Sequence, residues 1–144
     1  MKAPAIRRLQ VNLRRLSWAI SLGAICYLAW RFESLTLPAN GCSPLARFQV
    51  GQTLLTDSHP KIMAVGDALL FRAAGEIHLA RVAALRGSDG LDSRTGGSAL
   101  QTVDGDLGLW VLADNPRCPG RDSSSLGWIK GDDVCARVLF VWPW

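Results

Sequence analysis

The stretch ADNPRCPGRDSSSLGWIKGDDVCARVLFVWPW, Ala113–Trp144, holds two patterns in one short piece of chain. Its first half is rich in turn formers: Asn115, Pro116, Pro119, Gly120 and the serines after Asp122 favour local side chain-to-backbone turns over regular structure. Its second half carries the apolar run Val134–Trp142, which reads as a strand. Across both halves stands a spaced set that neither composition nor periodicity would produce by chance. It comprises Asp114 and Asn115, then Asp122 and Ser123 with Gly127, then Val134, Arg137, Val138, Trp142 and Pro143.

The same alternation extends outward from this stretch. Short apolar runs lie at Ala68–Phe71, Ile77–Leu85 and Leu107–Leu112, separated by turn-rich sequence such as RGSDGLDSRTGGS. No segment beyond residue 46 keeps helical periodicity for more than two turns, so the spacing predicts a mostly β fold, a small and strongly bent antiparallel β domain over residues 46–144. With 144 residues, 49% of them hydrophobic and six of them Trp, the chain suffices for one small core plus an appendage.

The appendage is at the N-terminus. All six positive charges of the first 31 residues (Lys2, Arg7, Arg8, Arg14, Arg15 and Arg31) lie there without an acid among them, whereas the remainder has ten basic residues against twelve acids. The net charge of +4 therefore belongs to a targeting segment, and the absence of a basic stripe argues against nucleic acid as a partner. Between Arg15 and Arg31 runs LSWAISLGAICYLAW, Leu16–Trp30, about 22 Å long as a helix and short of the roughly 30 Å hydrocarbon core. Snorkelling of Arg15 and Arg31, with Trp18, Tyr27 and Trp30 near the interfaces, makes it a single-pass membrane anchor over residues 16–31. The basic tail 1–15 then stays in the cytoplasm and the domain lies on the outer side, in contact with membrane lipid. Bulky Tyr27, Leu28 and Trp30 leave no small-x-small cleavage site directly after the run.

Residues 32–45, with Pro38, Gly41 and Pro44, read as a linker. Outside the membrane Cys42, Cys118 and Cys135 meet an oxidising space; a bridge from Cys118 in the loop to Cys135 on the last strand and two unpaired thiols are both open, while Cys26 is a buried small hydrophobe. Two His and no CxxC or HxxxH spacing argue against a metal site.

The spaced set resembles the C-terminal part of the type I signal peptidases, which read GDN, a short loop, DSRxxG, and a last strand vGRvxxxxWP. Ala113 and Ala136 stand where that family has Gly, Ser124 where it has Arg, and the loop after Asn115 is one residue longer. Two further blocks follow in order. SHPKIMAVGD puts Ser58 eight residues before Gly66-Asp67, the family's spacing for its nucleophile, and Pro60 two residues on is similar to the conjugative-transfer peptidases. A second register, counted from Phe48-Gln49-Val50, puts Leu54 there instead. ARVAALRGSDG is similar to KRVxGLPGD through Arg81, Val82, Leu85 and Gly87, with Arg86 in place of the Pro and Ser88 in place of the Asp.

The family's chemistry is a Ser hydroxyl attacking a peptide carbonyl while a neutral buried Lys takes its proton, without metal or cofactor. Here Ala80 occupies the Lys position, and an alanine accepts no proton. His78 is the one substitute base at hand: two residues away on a strand, it shares a face with Ala80, displaced by about 6.6 Å. The resemblance thus implies a membrane-anchored serine endopeptidase lineage acting on the signal or leader peptides of exported preproteins. Its catalysis is impaired, with Ser58 and His78 as the catalytic candidates and Asp114, Asn115, Asp122 and Ser123 supporting the site. The alternative is a binding module, derived from a peptidase, that holds extended peptides or proteins at the membrane by adding them to a sheet edge. The C-terminal Trp142-Pro143-Trp144 fits a membrane-facing surface.

Overall fold

A computed structural model describes residues 3–38, 42–87, 92–93, 101–103 and 106–142. Two compact units follow one another, Met1–Phe32 and Glu33–Trp144. The first is essentially one helix, α1 (Ala3–Arg31). Near its end Arg31 Nη1 donates to the Tyr27 hydroxyl at 2.8 Å, one helical turn back.

The expected transmembrane helix is not supported. Among the described residues no helix is long and apolar enough to cross a membrane. The physical reason lies in the sequence: Arg14, Arg15 and Arg31 bracket a run that is itself diluted by Ser17, Ser21, Gly23 and Tyr27.

The second unit is mostly β, in antiparallel pairing. Its strands are β1 (Phe32–Thr36), β2 (Thr53–Asp57), β3 (Ile62–Met63), β4 (Ala68–Ala73), β5 (Glu76–Arg86), β6 (Asp92–Ser93), β7 (Gln101–Thr102), β8 (Gly108–Leu112), β9 (Ile129–Lys130) and β10 (Val134–Val141). The main sheet runs β1-β2-β10-β4-β5-β8-β9, with β6 on β5, while β3 and β7 form a small ribbon. The last strand of the chain thus lies at the centre, between β2 and β4. Register shifts between Val134 and Ala136, between Val138 and Phe140, and between Val82 and Ala84 mark bulges. Each bulge bends its strand and lets the sheet curl.

Both faces of that sheet are covered. Met63, Leu69, Phe71, Ala80, Val82, Leu109 and Val111 gather in one core. Leu37, Leu45, Leu54, Ala68, Leu70, Leu79 and Ala136 gather in the other. Alternate residues of β4 therefore serve opposite cores, which is why ALLF at 68–71 is an unbroken apolar run and every member of it is buried. β4 turns into β5 through Ala74 (φ 52°) and Gly75 (φ 85°), two consecutive positive φ values as in the tight hairpin turns that match strand twist.

The stretch 32–45, expected as a linker, contributes β1 and the buried Leu37 and Leu45. Its Pro and Gly stand after FESLT rather than within it, so the strand before them is unhindered. Of the two arrangements left open for Cys118 and Cys135, neither holds. Cys118 is bonded to Cys42, with Cα atoms 5.6 Å apart, and Cys135 is a free thiol. β10 carries Cys135 into the sheet while the loop after Asn115 folds back on residues 43–44. Pro143 and Trp144 of the terminal WPW, and Ser88 of the RVxxL block, lie outside the described residues.

Candidate functional site

A cavity of about 580 Å³ opens beside Ser58. Its walls are mainly apolar: Leu35 and Leu37 from the β1 segment, Leu70 from β4, Ile77 and Leu79 from β5, and Ala136 from β10. The Cys42–Cys118 bridge contributes Cys42, the free Cys135 borders it, and Glu33 and Arg121 are its charged lining.

Ser58 follows β2 directly. Its Oγ is buried and has no hydrogen-bond partner among the described residues. The turn that holds it is pinned by the next amide, His59 N–H donating to Asp57 Oδ1 at 3.0 Å, while Thr56 Oγ1 donates to the Glu33 carbonyl at 3.0 Å and ties the β1 segment down. Leu54, the other register's choice, is fully buried in the second core and offers no polar group.

His78 borders the same cavity. Its ring lies 5.6 Å from that of Phe71 at 45°, and its Nε2 is buried without a hydrogen-bond partner among the described residues, 3.9 Å from Glu76 Oε2. Ser58 and His78 are thus brought to one cavity but not to each other. From β2 to β5 the path crosses β10 and β4, three inter-strand steps or about 14 Å along the sheet. A general base works at about 2.6–3.2 Å from the heavy atom whose proton it takes.

Ala80 is on the other side. It pairs with Leu69, has no exposed surface, and belongs to the core that holds Phe71 and Val82. Its neighbour in sequence, Leu79, pairs with Leu70, and both line the Ser58 cavity. The strand pleat therefore separates the two positions: a side chain at residue 80 points away from the cavity that Ser58 enters. Lys61, next to the Ser58 turn, is exposed.

The four supporting residues build the walls rather than the lining. Asp114 accepts from Ala46 N–H at 2.9 Å and is paired with Arg81 Nε at 3.2 Å. Asn115 Nδ2 donates to the Ser43 carbonyl at 2.7 Å, and its amide donates to the Pro44 carbonyl at 3.0 Å. Those bonds hold the 43–46 segment against the loop that carries Cys118, beside Gly120, where an added Cβ would stand 2.7 Å from Pro44 Cβ. Asp122 caps the short helix α2 (Ser123–Leu126), accepting from the Ser124 amide at 3.0 Å and from the Ser124 hydroxyl. Ser123 Oγ is buried and accepts from Val111 N–H at 2.9 Å, joining α2 to β8.

Several elements of the candidate site were not visible in sequence: the cavity itself, the β1 wall and the Cys42–Cys118 bridge. Only the Ser58 turn and the expectation that His78 and Ala80 share a strand pointed toward them. Gly66-Asp67 has a structural part, since Asp67 Oδ2 accepts from Ala64 N–H at 2.8 Å and pairs with Arg137 Nε at 3.1 Å. No protein-family model matches the chain, and no curated protein matches its sequence.

Proposed function

We propose that this protein is a signal-peptidase-like domain held at the membrane by α1, in which the cleft holds extended peptides of exported proteins without the Ser–Lys chemistry of an efficient peptidase. The observation that carries the reading is the separation of Ser58 from residue 80 by the sheet: the cavity opens beside Ser58, and Ala80 is packed in the opposite core. Without a base in reach, the Ser58 hydroxyl stays protonated and is a weak nucleophile. What remains is an apolar, pre-formed cavity, and such a cavity supports binding rather than catalysis.

A second reading, a slow serine endopeptidase using His78, is favoured by one fact: the residues Ser58 and His78 both line the cavity. One experiment separates the two. A preprotein with a small-x-small site is incubated with the detergent-solubilised chain, with Ser58→Ala and with Ala80→Lys, and both cleavage and retention of the substrate are measured. The binding reading expects retention by all folded forms and cleavage by none, because a lysine at residue 80 points into the far core. Cutting by the native chain that disappears in Ser58→Ala sinks it in favour of the enzyme.

A further inference from the structure

We propose that α1 docks on an anionic phospholipid surface through a stripe of arginines on its N-terminal half. The inference rests on the membrane contact proposed above and adds the headgroup chemistry that this helix selects.

Helical register carries the first part. Residues 3–15, a basic tail in the sequence reading, form the first half of α1, which runs unbroken from Ala3 to Arg31. Seven residues make two turns to within about 20°, so Arg7 and Arg14 share one face, as do Arg8 and Arg15 beside them. The four positions make one stripe roughly 10 Å long at about 1.5 Å per residue. Leu9, Leu13, Leu16 and Ile20, spaced i, i+4, i+7 and i+11, fall on the opposite face.

Charge carries the second part. Arg14 and Arg15 are exposed, and the first 31 residues hold six basic side chains and no acid, so nothing within the helix neutralises the stripe. Residues 32–144 hold ten basic residues against twelve acids, which confines the attraction for anions to α1. A nucleic acid would meet the stripe but leave the other face in water, where Leu13, Leu16 and Ile20 are all more than half exposed. An anionic bilayer serves both faces, with phosphates for the arginines and acyl chains for the leucines. Past Leu16 the apolar side chains take every side of the helix, so the C-terminal half enters lipid more deeply than the basic half.

The test adds the detergent-solubilised full chain to phosphatidylcholine vesicles with and without phosphatidylglycerol, at low and at high salt, and measures the fraction that floats. Phosphatidylglycerol is expected to raise that fraction, and salt to lower it again by screening. Arg14→Gln with Arg15→Gln should reduce partition into the anionic vesicles on the order of tenfold to thirtyfold at low salt. Arg14→Lys with Arg15→Lys should keep it, since the charge is what the surface attracts. Arg72→Gln with Arg117→Gln removes the same charge from exposed positions of the domain and should leave partition unchanged. Equal partition into both kinds of vesicle overturns the inference while leaving the apolar contact of α1 with lipid in place. A loss in the domain pair equal to that in the α1 pair overturns the assignment to the stripe. Binding of a DNA duplex as tight as that of the anionic vesicles makes nucleic acid the partner instead. Flotation with neither vesicle sinks the membrane reading itself, and the inference with it.

Discussion

Asp122 illustrates how much of this site is scaffolding. Burial pushes its carboxyl upward, but the Ser124 hydroxyl and the amides of Ala113, Ser124 and Ser125 bond its charged form and bring the pKa below the ordinary carboxylate value. A carboxylate with a depressed folded pKa contributes stability that is fully present above the unfolded value, about 3.9, and is lost as pH falls through the folded value. Asp122→Ala is expected to cost about 1 kcal/mol at neutral pH, the usual worth of an N-cap. Urea unfolding between pH 7 and pH 2 checks it: the gap between native and variant should close on the acid side, and a gap independent of pH would remove the charge from the account. The residues Asp122 and Ser123 were legible as a pair at a defined spacing. Their work was not, because an Asx turn in a free loop and a cap that ties α2 to β8 have the same local sequence.

α1 was legible as a helix from an uncharged run between arginines, and its apolar side chains point all round it: Trp18 is 71% exposed and Ile25 63%. A helix apolar on every side finds its place in lipid or in a protein core. The proposed membrane contact of α1 draws on these exposed apolar side chains rather than on a span. Flotation of the full chain with anionic vesicles is expected, and Leu22→Asp with Ile25→Asp should send it to the soluble fraction. Flotation unchanged by the two carboxylates would detach the helix from the membrane reading. β4, β5, β8 and β10 were equally legible, because a strand covered on both faces is apolar along its length and one covered on a single face is apolar at alternate positions. β1 and β2 were not. FESLT and TLLTD are short and polar at alternate positions, and what makes them strands is the sheet edge they join.

At the level of the whole domain, the Cys42–Cys118 bridge joins residues 76 apart in sequence. Closing so long a loop removes freedom from the unfolded chain worth about 4 kcal/mol in the chain-entropy model. Reduction is expected to lower the midpoint of thermal unfolding, and Cys42→Ser to do the same, whereas Cys135→Ser should leave it within a degree or two, about the effect of a surface change. Loss of stability in Cys135→Ser equal to that in Cys42→Ser would reassign the bridge. The pairing also matters for the cavity, since Cys42 and the segment that Asn115 holds form one of its walls.

Read alone, the sequence determined the class of the fold, its antiparallel strands over the second half, the helix at the start and the absence of a lysine at residue 80. These are decided by periodicity, by turn chemistry and by single residue types, all of which act within a few neighbours along the chain. Only the tertiary structure decided that Ser58 and Ala80 lie on opposite faces, that the His78 ring packs on Phe71, that Cys118 meets Cys42, and that residues 32–38 and 42–45 join the domain instead of forming a linker. Each of these depends on which strands lie side by side. In this domain β10, the last in sequence, is inserted between β2 and β4, and nothing local in the sequence of either neighbour records that insertion.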